Sequence, residues 1–404
     1  MKKQKTLDKV LRTINEATNG YYLSYQINDI LKEDKLDVSF IANNFDYFIM
    51  HVNGNNFARF LNYISLQADL SDNILKKIPT FMKKFKTGDI SDKCQETFLE
   101  MLTFQPGYKK IFQKNMRIII ESFSPSVLFE KGSLLKEISP RYTRKINDII
   151  NLKQDKICKH ILIRCLSKNN NQGNITLKDL NDYSLTLQIL FREVLKSEGK
   201  QFSDVEKIGE GAFSQTFRVG NKVIKVGAPR ETYNIPNHRR ILQPLARVNL
   251  TGQNHNSIGT IEVTDEVDTS NSALNKITKD DLYMVYKELR DSGIVWGDPK
   301  IDNLGILKRE NIPTMGGKPF HVNSTSIGFM NNLDGVKPLN KGDIVIVDTD
   351  FLYRQEQKNK RGNSNSFILE YEKRYQEEKR KKAQENSTNK KDVYLKNKDD
   401  DLDY

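Results

Sequence analysis

The run DSGIVWGDPKIDNLGIL, residues 291–307, carries a carboxylate, an amine and a carboxamide on one short segment. They are Asp298, Lys300 two positions on, and Asn303 five positions on. Phosphoryl transfer uses all three chemistries. Its donor carries clustered negative charge, so a protein contributes mainly positioning and charge neutralisation. A carboxylate can orient the acceptor hydroxyl, a cation can attend the transferring group, and an amide oxygen can hold a metal ion. Alone, D-x-K-x-x-N is a weak signal. It gains weight only if the other parts of such a site stand in the right order.

Those parts flank it. In KIGEGAFSQTFRV, Lys207 to Val219, Gly209 and Gly211 lie two apart between strand-like segments. Glycine lets backbone N–H groups come close to phosphates. In isolation this would be an ordinary glycine turn. Fourteen residues after Gly211 stands Lys225, inside the apolar strand KVIKV and on the same strand face as Val223. A strand lysine is usually solvated, and its place after a glycine loop is what makes it a candidate ligand for the α- and β-phosphates. Downstream, DIVIVDTDF ends an apolar strand at Asp348, with Asp350 two residues on. A carboxylate there suits Mg2+, which takes a few hard oxygens from protein and the rest from water and phosphate.

In this order the set resembles the protein kinase superfamily, whose motifs are G-x-G-x-x-G, V-A-I-K, H-R-D-x-K-x-x-N and D-F-G. The resemblance runs from Val205 to Tyr353, about 150 residues. It implies ATP and Mg2+ as ligands. Ile208, Gly209, Gly211, Ser214, Thr216 and Val223 would then surround the nucleotide, and Lys225 would hold its phosphates. Glu231 is the only acid between Lys225 and Glu262, which makes it the default partner of that lysine. Glu266 and Val267 would lie in the segment that binds adenine through its backbone. Asp298 would be the catalytic aspartate with Lys300 as its helper, and Asn303 and Asp348 the metal ligands.

The departures are as informative. Ser214 replaces the third glycine, Thr216 the loop valine and Val223 the alanine of V-A-I-K. Trp296 and Gly297 replace the histidine and arginine of H-R-D, so a phosphate on an activation loop has no arginine to receive it. Gly305 stands where the family places an apolar residue under adenine, a role Leu304 or Ile306 would have to fill. D-F-G reads Asp348-Thr349-Asp350, and no A-P-E follows. Such a reduced kinase resembles the minimal bacterial effector Ser/Thr kinases of the SteC-like kind. That likeness implies transfer of the γ-phosphate of Mg-ATP to protein hydroxyls, with a host protein as acceptor after delivery by a specialised secretion system. Two other readings stay open: a small-molecule kinase of the aminoglycoside or choline type, and a pseudokinase scaffold.

The elements that must position these residues are legible in outline. Residues 1–200 read as helices: Leu7, Val10, Leu11 and Ile14 share one apolar face, and similar patterns recur up to LTLQILFREVL. His51 and His160 are isolated there and read as structural. From 201 to 355 short strands alternate with turns, Gly220-Asn221 closing a hairpin and KDDLYMVYKELRDSG forming a helix that stops at Gly293. Residues 356–404 read as a charged, solvent-exposed helix and a disordered tail. The fold class expected is α+β, a helical N-terminal region followed by a minimal protein-kinase-like fold with a reduced C-lobe.

Composition adds bounds. The chain has 404 residues, a net charge of +12 and three cysteines, Cys94, Cys158 and Cys165, with no C-x-x-C pair. That usage fits a reducing, cytoplasmic-type compartment. With no nucleic-acid motif beside it, the charge reads as a solvated basic surface, so no specific nucleic acid is expected. The start, MKKQKTLDKVL, lacks the apolar run of a secretory signal, and no transmembrane segment is expected.

Overall fold

The computed structural model describes residues 2–67, 74–87, 90–167, 176–211, 214–227, 238–242, 244–251, 257–308, 320–322, 325–327, 339–348, 352–354 and 369–384. The α+β expectation holds: a helical N-terminal region precedes antiparallel sheets. The chain forms two compact units, Met1–His160 with Gln201–Asp204, and Ile161–Lys200 with Val205–Tyr404. Residues 161–200, which the sequence groups with the helical region, thus belong to the unit that contains the sheets. Among the described residues no helix is long and apolar enough to cross a membrane.

The first unit is helical because its apolar residues recur on one face and its turns carry capping side chains. Asn53, Ser91 and Ser124 each accept a hydrogen bond from the backbone three residues on, starting the helices Gly54–Ser65, Asp92–Thr103 and Pro125–Ile138. Phenylalanines supply much of the core. Phe45, Phe57, Phe81, Phe85 and Phe98 are almost wholly buried and meet largely edge to face, as Phe85 and Phe98 do at 5.2 Å. The two histidines are structural: His51 Nδ1 lies 2.8 Å from the Tyr47 carbonyl oxygen, and His160 Nδ1 lies 2.9 Å from Asp92.

The second unit opens on the helix Leu177–Glu198. A Thr176/Asp179 capping box starts it and Gly199, at φ +62°, ends it. Five strands follow: β1 (Glu206–Glu210), β2 (Ser214–Val219), β3 (Lys222–Gly227), β4 (Ala246–Thr251) and β5 (Ser257–Asp265). They form one antiparallel sheet in the order β1-β2-β3-β5-β4. Alternation sorts the side chains onto two faces. Phe217, Val219, Ile224 and Val226 are buried on one face, where Phe191 of the 177–198 helix meets Phe217 at 5.9 Å. The Cys165 thiol donates to the Val226 carbonyl on that strand. The opposite face carries the polar row that includes Lys225.

The rest of this unit is built from short pairs. β6 (Val267–Asp268), β8 (Leu304–Leu307) and β11 (Ile344–Ile346) make a three-stranded sheet in the order β11-β8-β6. β7 (Ile294–Trp296) pairs with β12 (Leu352–Arg354), and β9 (Phe320–Val322) with β10 (Thr325–Ile327). The helix Lys279–Asp291 has its own Thr278/Asp281 capping box, and Gly293 follows it at φ +73°. Its apolar face gathers Tyr283, Tyr286 and Leu289 with Trp296, Leu304, Ile346 and Leu352.

One expectation needs correcting. The helix at 369–384 is charged, but it is docked. Tyr375 is buried in the same cluster as Trp296, and Tyr371 packs against it. Arg290 pairs with Glu372 at 2.6 Å, and the Tyr375 hydroxyl donates to Asp291. Arg374 lies over the Tyr283 ring at 3.9 Å. Two tyrosines four apart make a narrow stripe that is hard to see among so many charges.

Candidate active site

Two antiparallel pairs bring the two chemistry-bearing loops together. Pairing of β7 with β12 puts Trp296 opposite Leu352, and pairing of β8 with β11 puts Leu304 opposite Ile346. The segment 297–303 joins β7 to β8, and Val347 and Asp348 continue directly from the end of β11. The β8–β11 pairing brings these segments side by side, and the Val347 N–H donates to the Asn303 carbonyl at 2.9 Å. Asp348, half-buried, follows at once. Asp350 lies outside the described residues.

Within the first loop the three predicted side chains meet. Asn303 Nδ2 donates to the Asp298 carbonyl at 2.9 Å and to Asp298 Oδ2 at 3.1 Å. Lys300 Nζ lies 2.8 Å from Asp298 Oδ1 and 3.1 Å from Oδ2. The hydrogen bond and charge of Asp298 raise the Lys300 pKa above that of an ordinary lysine, so the amine stays cationic at neutral pH. With Nδ2 committed to Asp298, Asn303 has Oδ1 as its acceptor. That oxygen and the Asp348 carboxylate are hard donors of the kind Mg2+ takes, while among the described residues no group of three or more His, Cys, Asp or Glu side chains is gathered to hold a metal ion.

Trp296 and Gly297 lead into this segment. Trp296 is fully buried and anchors the base of the loop in the core. Gly305 is explained by crowding: an added Cβ would meet Val267 Cγ2 at 2.6 Å and Val347 Cγ1 at 2.9 Å. Those valines fill the space beside Gly305, so neither Leu304 nor Ile306 has to shift into it. Leu304 is instead fully buried in the core.

The sheet carries the nucleotide-side candidates. Gly209 pairs with Thr216, Thr216 with Lys225, and Ser214 with Gly227. Gly209, Ser214, Thr216, Val223 and Lys225 thus share one face. A bulge between Lys207 and Gly209 takes up Ile208, which is 42 % exposed. Gly209 and Gly211 have no left-handed backbone, and added Cβ atoms would find only ordinary contacts, the nearest at 3.9 Å and 3.7 Å. The fold itself does not demand glycine at either position. The Gly211 N–H donates to Ser214 O at 2.8 Å.

Two predicted residues are placed differently. The Glu266 N–H, expected to face adenine, donates to the Asn221 carbonyl at 2.8 Å. The Glu266 side chain ties Arg218 to Lys308, at 3.1 Å and 2.7 Å. Val267 is buried with Leu307 and Val345. Glu266 therefore acts as a clasp in the connecting segment. Glu231 lies outside the described residues.

Sequence reasoning missed the clamp behind the second loop. Arg240 pairs with Glu288 at 2.9 Å and donates to the Ile344 carbonyl at 3.0 Å. The Ile346 N–H donates to Arg240 O, and the Leu242 N–H to Ile346 O. Burial pushes the Glu288 carboxyl up, but Arg240 and Arg239 outweigh it and hold it below the usual carboxylate range. The clamp fixes β11, the strand that leads into Asp348. Arg240 and Glu288 stand 48 positions apart, and no local pattern links them. Compared with family models, curated proteins and solved structures, the chain matches none.

Proposed function

We propose that this protein is an ATP-dependent Ser/Thr protein kinase of the reduced, bacterial-effector type, acting on a host protein. The observation that carries the reading is the meeting of Asp298, Lys300 and Asn303 on one loop with Asp348 on its neighbour. A lysine on the third strand after a glycine hairpin supports it, since protein kinases place the phosphate-binding lysine there. So do two glycines that the fold does not need, because an open backbone serves a ligand that must come close.

In this reading Lys225 holds the α- and β-phosphates. The acceptor hydroxyl binds at Asp298, which takes its proton as the oxygen bonds to the γ-phosphorus and the bond to ADP breaks. Lys300 offsets the charge on the transferring group. Asn303 keeps Asp298 in place through two hydrogen bonds. Asn303 and Asp348 would hold Mg2+, which would supply charge neutralisation for the phosphates. The loop lacks an arginine to receive an activating phosphate, so the site works as folded.

The test is transfer itself. Purified protein is incubated with γ-labelled ATP, Mg2+ and generic protein acceptors, and the label is located by phospho-amino-acid analysis. Label on serine or threonine that disappears in Asp298→Asn is the expected result. Tight Mg-ATP binding with no label on any acceptor would move the protein to the scaffold reading.

A further inference from the structure

The docked helix 369–384 and the end of the helix Lys279–Asp291 line a cavity of about 410 Å3. Lys287, Arg290 and Asp291 face it from one side, and Tyr375, Glu378, Lys379 and Lys382 from the other. Two of its four cations are matched. Lys287 pairs with Glu378, and Arg290 donates twice to Glu372, at 2.9 Å and 2.6 Å. The remaining carboxylate, Asp291, accepts the Tyr375 hydroxyl at 2.9 Å. Lys379 and Lys382 have no carboxylate partner among the described residues. The Tyr375 ring gathers positive charge besides, with Arg290 5.5 Å and Lys379 5.9 Å from its centroid.

We propose that this cavity is a binding site for a small phosphate-bearing ligand, held by Lys379 and Lys382 beside the Tyr375 ring. The site lies apart from the loop of Asp298 and does not depend on the kinase reading. Lysines three apart on a helix stand side by side, and like charges at that spacing repel. An anion between them turns the repulsion into two charge-assisted contacts. A lysine ammonium is a compact charge with three donors, which suits the many oxygens of a phosphate better than one fixed planar partner. The volume lies in the range of small-molecule sites. Arg290 is only 7 % exposed and locked on Glu372, so its wall of the cavity is rigid. The ligand would touch both helices, and it would therefore stabilise the docking of the second on the first.

The test is calorimetric titration of the whole protein with inorganic pyrophosphate, at constant ionic strength and without Mg2+. The wild type should bind at one site. Lys379→Gln with Lys382→Gln should weaken that binding about tenfold or more, the scale of losing two charged hydrogen bonds. Lys382→Gln alone, an exposed side chain near the helix end, should already weaken it. Lys373→Gln with Lys381→Gln removes the same charge from the same helix outside the cavity and should bind like the wild type. Equal weakening by both pairs would mean general attraction to a basic helix and overturn the proposal. No binding by the wild type overturns it, and so does unchanged affinity without Lys379 and Lys382, which would place pyrophosphate elsewhere. Melting curves without ligand separate binding from folding. Relieved of repulsion, the Lys379→Gln/Lys382→Gln variant should melt at or above the wild type, whereas a large drop would make the two lysines structural and overturn the proposal. Phosphatidylcholine vesicles with and without phosphatidylinositol bisphosphate distinguish the sources of such a ligand. Binding of free pyrophosphate alone supports a soluble ligand, and bisphosphate vesicles that pyrophosphate displaces support a lipid headgroup in the same site.

Discussion

In the proposed reaction the chemistry turns on Asp298, and the contacts of this residue allow catalysis to be tested apart from folding. Its side chain is held by Lys300 and Asn303 through polar contacts at the surface of a loop, while the loop's base is anchored by Trp296. Asp298→Asn should therefore leave the melting temperature within a few degrees of the wild type. Phosphoryl transfer should fall by about two orders of magnitude or more, the usual scale for losing a general base that also positions the acceptor. Mg-ATP should still bind. Near-normal labelling of serine or threonine by the folded variant would hand the role to another carboxylate. Gly305 makes the opposite kind of case. Gly305→Ala drives a methyl into Val267 and Val347, and overpacking of this sort costs about 1–3 kcal/mol. Denaturant titration measures that loss. Because Val347 precedes Asp348, the Mg2+ dependence of binding should weaken with it.

At the scale of elements, the docked 369–384 helix is testable through its ion pair. Burial pushes the Glu372 carboxyl up, but hydrogen bonds from Arg290, Tyr286 and Gln376 outweigh it and bring it down to about 2. A carboxylate depressed in the folded state adds stability that is fully present above its unfolded pKa, about 4.5. That contribution is lost as the pH falls from there towards 2. Glu372→Gln should flatten the stability profile across this window, as followed by thermal melts at stepped pH. Tyr375→Ala should cost about 3 kcal/mol, since a large aromatic leaves the cluster around Trp296. If it costs nothing, the helix does not dock in solution.

For the molecule as a whole, the proposed kinase function is tested through nucleotide binding and regulation. A ligand that binds only the folded state adds about 2.7 kcal/mol at a hundred times its Kd. Saturating Mg-ATP should therefore raise the melting temperature of the intact chain. An unchanged melt would count against any nucleotide site. Phosphatase treatment should leave the transfer rate as it was, because residue 297, where an arginine would receive an activating phosphate, is glycine. A large drop after treatment would reveal a control phosphate elsewhere in the chain.

What the sequence determined alone was local. Capping side chains at Thr176 and Thr278, glycines at 199 and 293, and the Gly220-Asn221 turn mark element ends, because such signals act within a few residues. The trio Asp298, Lys300 and Asn303 was legible for the same reason: its members are at most five positions apart, and they do meet. Residues separated by long stretches of chain were decided by tertiary structure. Glu262 comes to face Lys225 only through strand register, and Arg240 reaches Glu288 only because the segment 238–242 runs beside β11. The charged 369–384 helix is held by Tyr371 and Tyr375, whose partners Tyr283, Tyr286 and Asp291 lie more than eighty positions away. A contact of that kind is set by which surfaces remain to be buried once the elements have formed, and no short stretch of sequence contains that information.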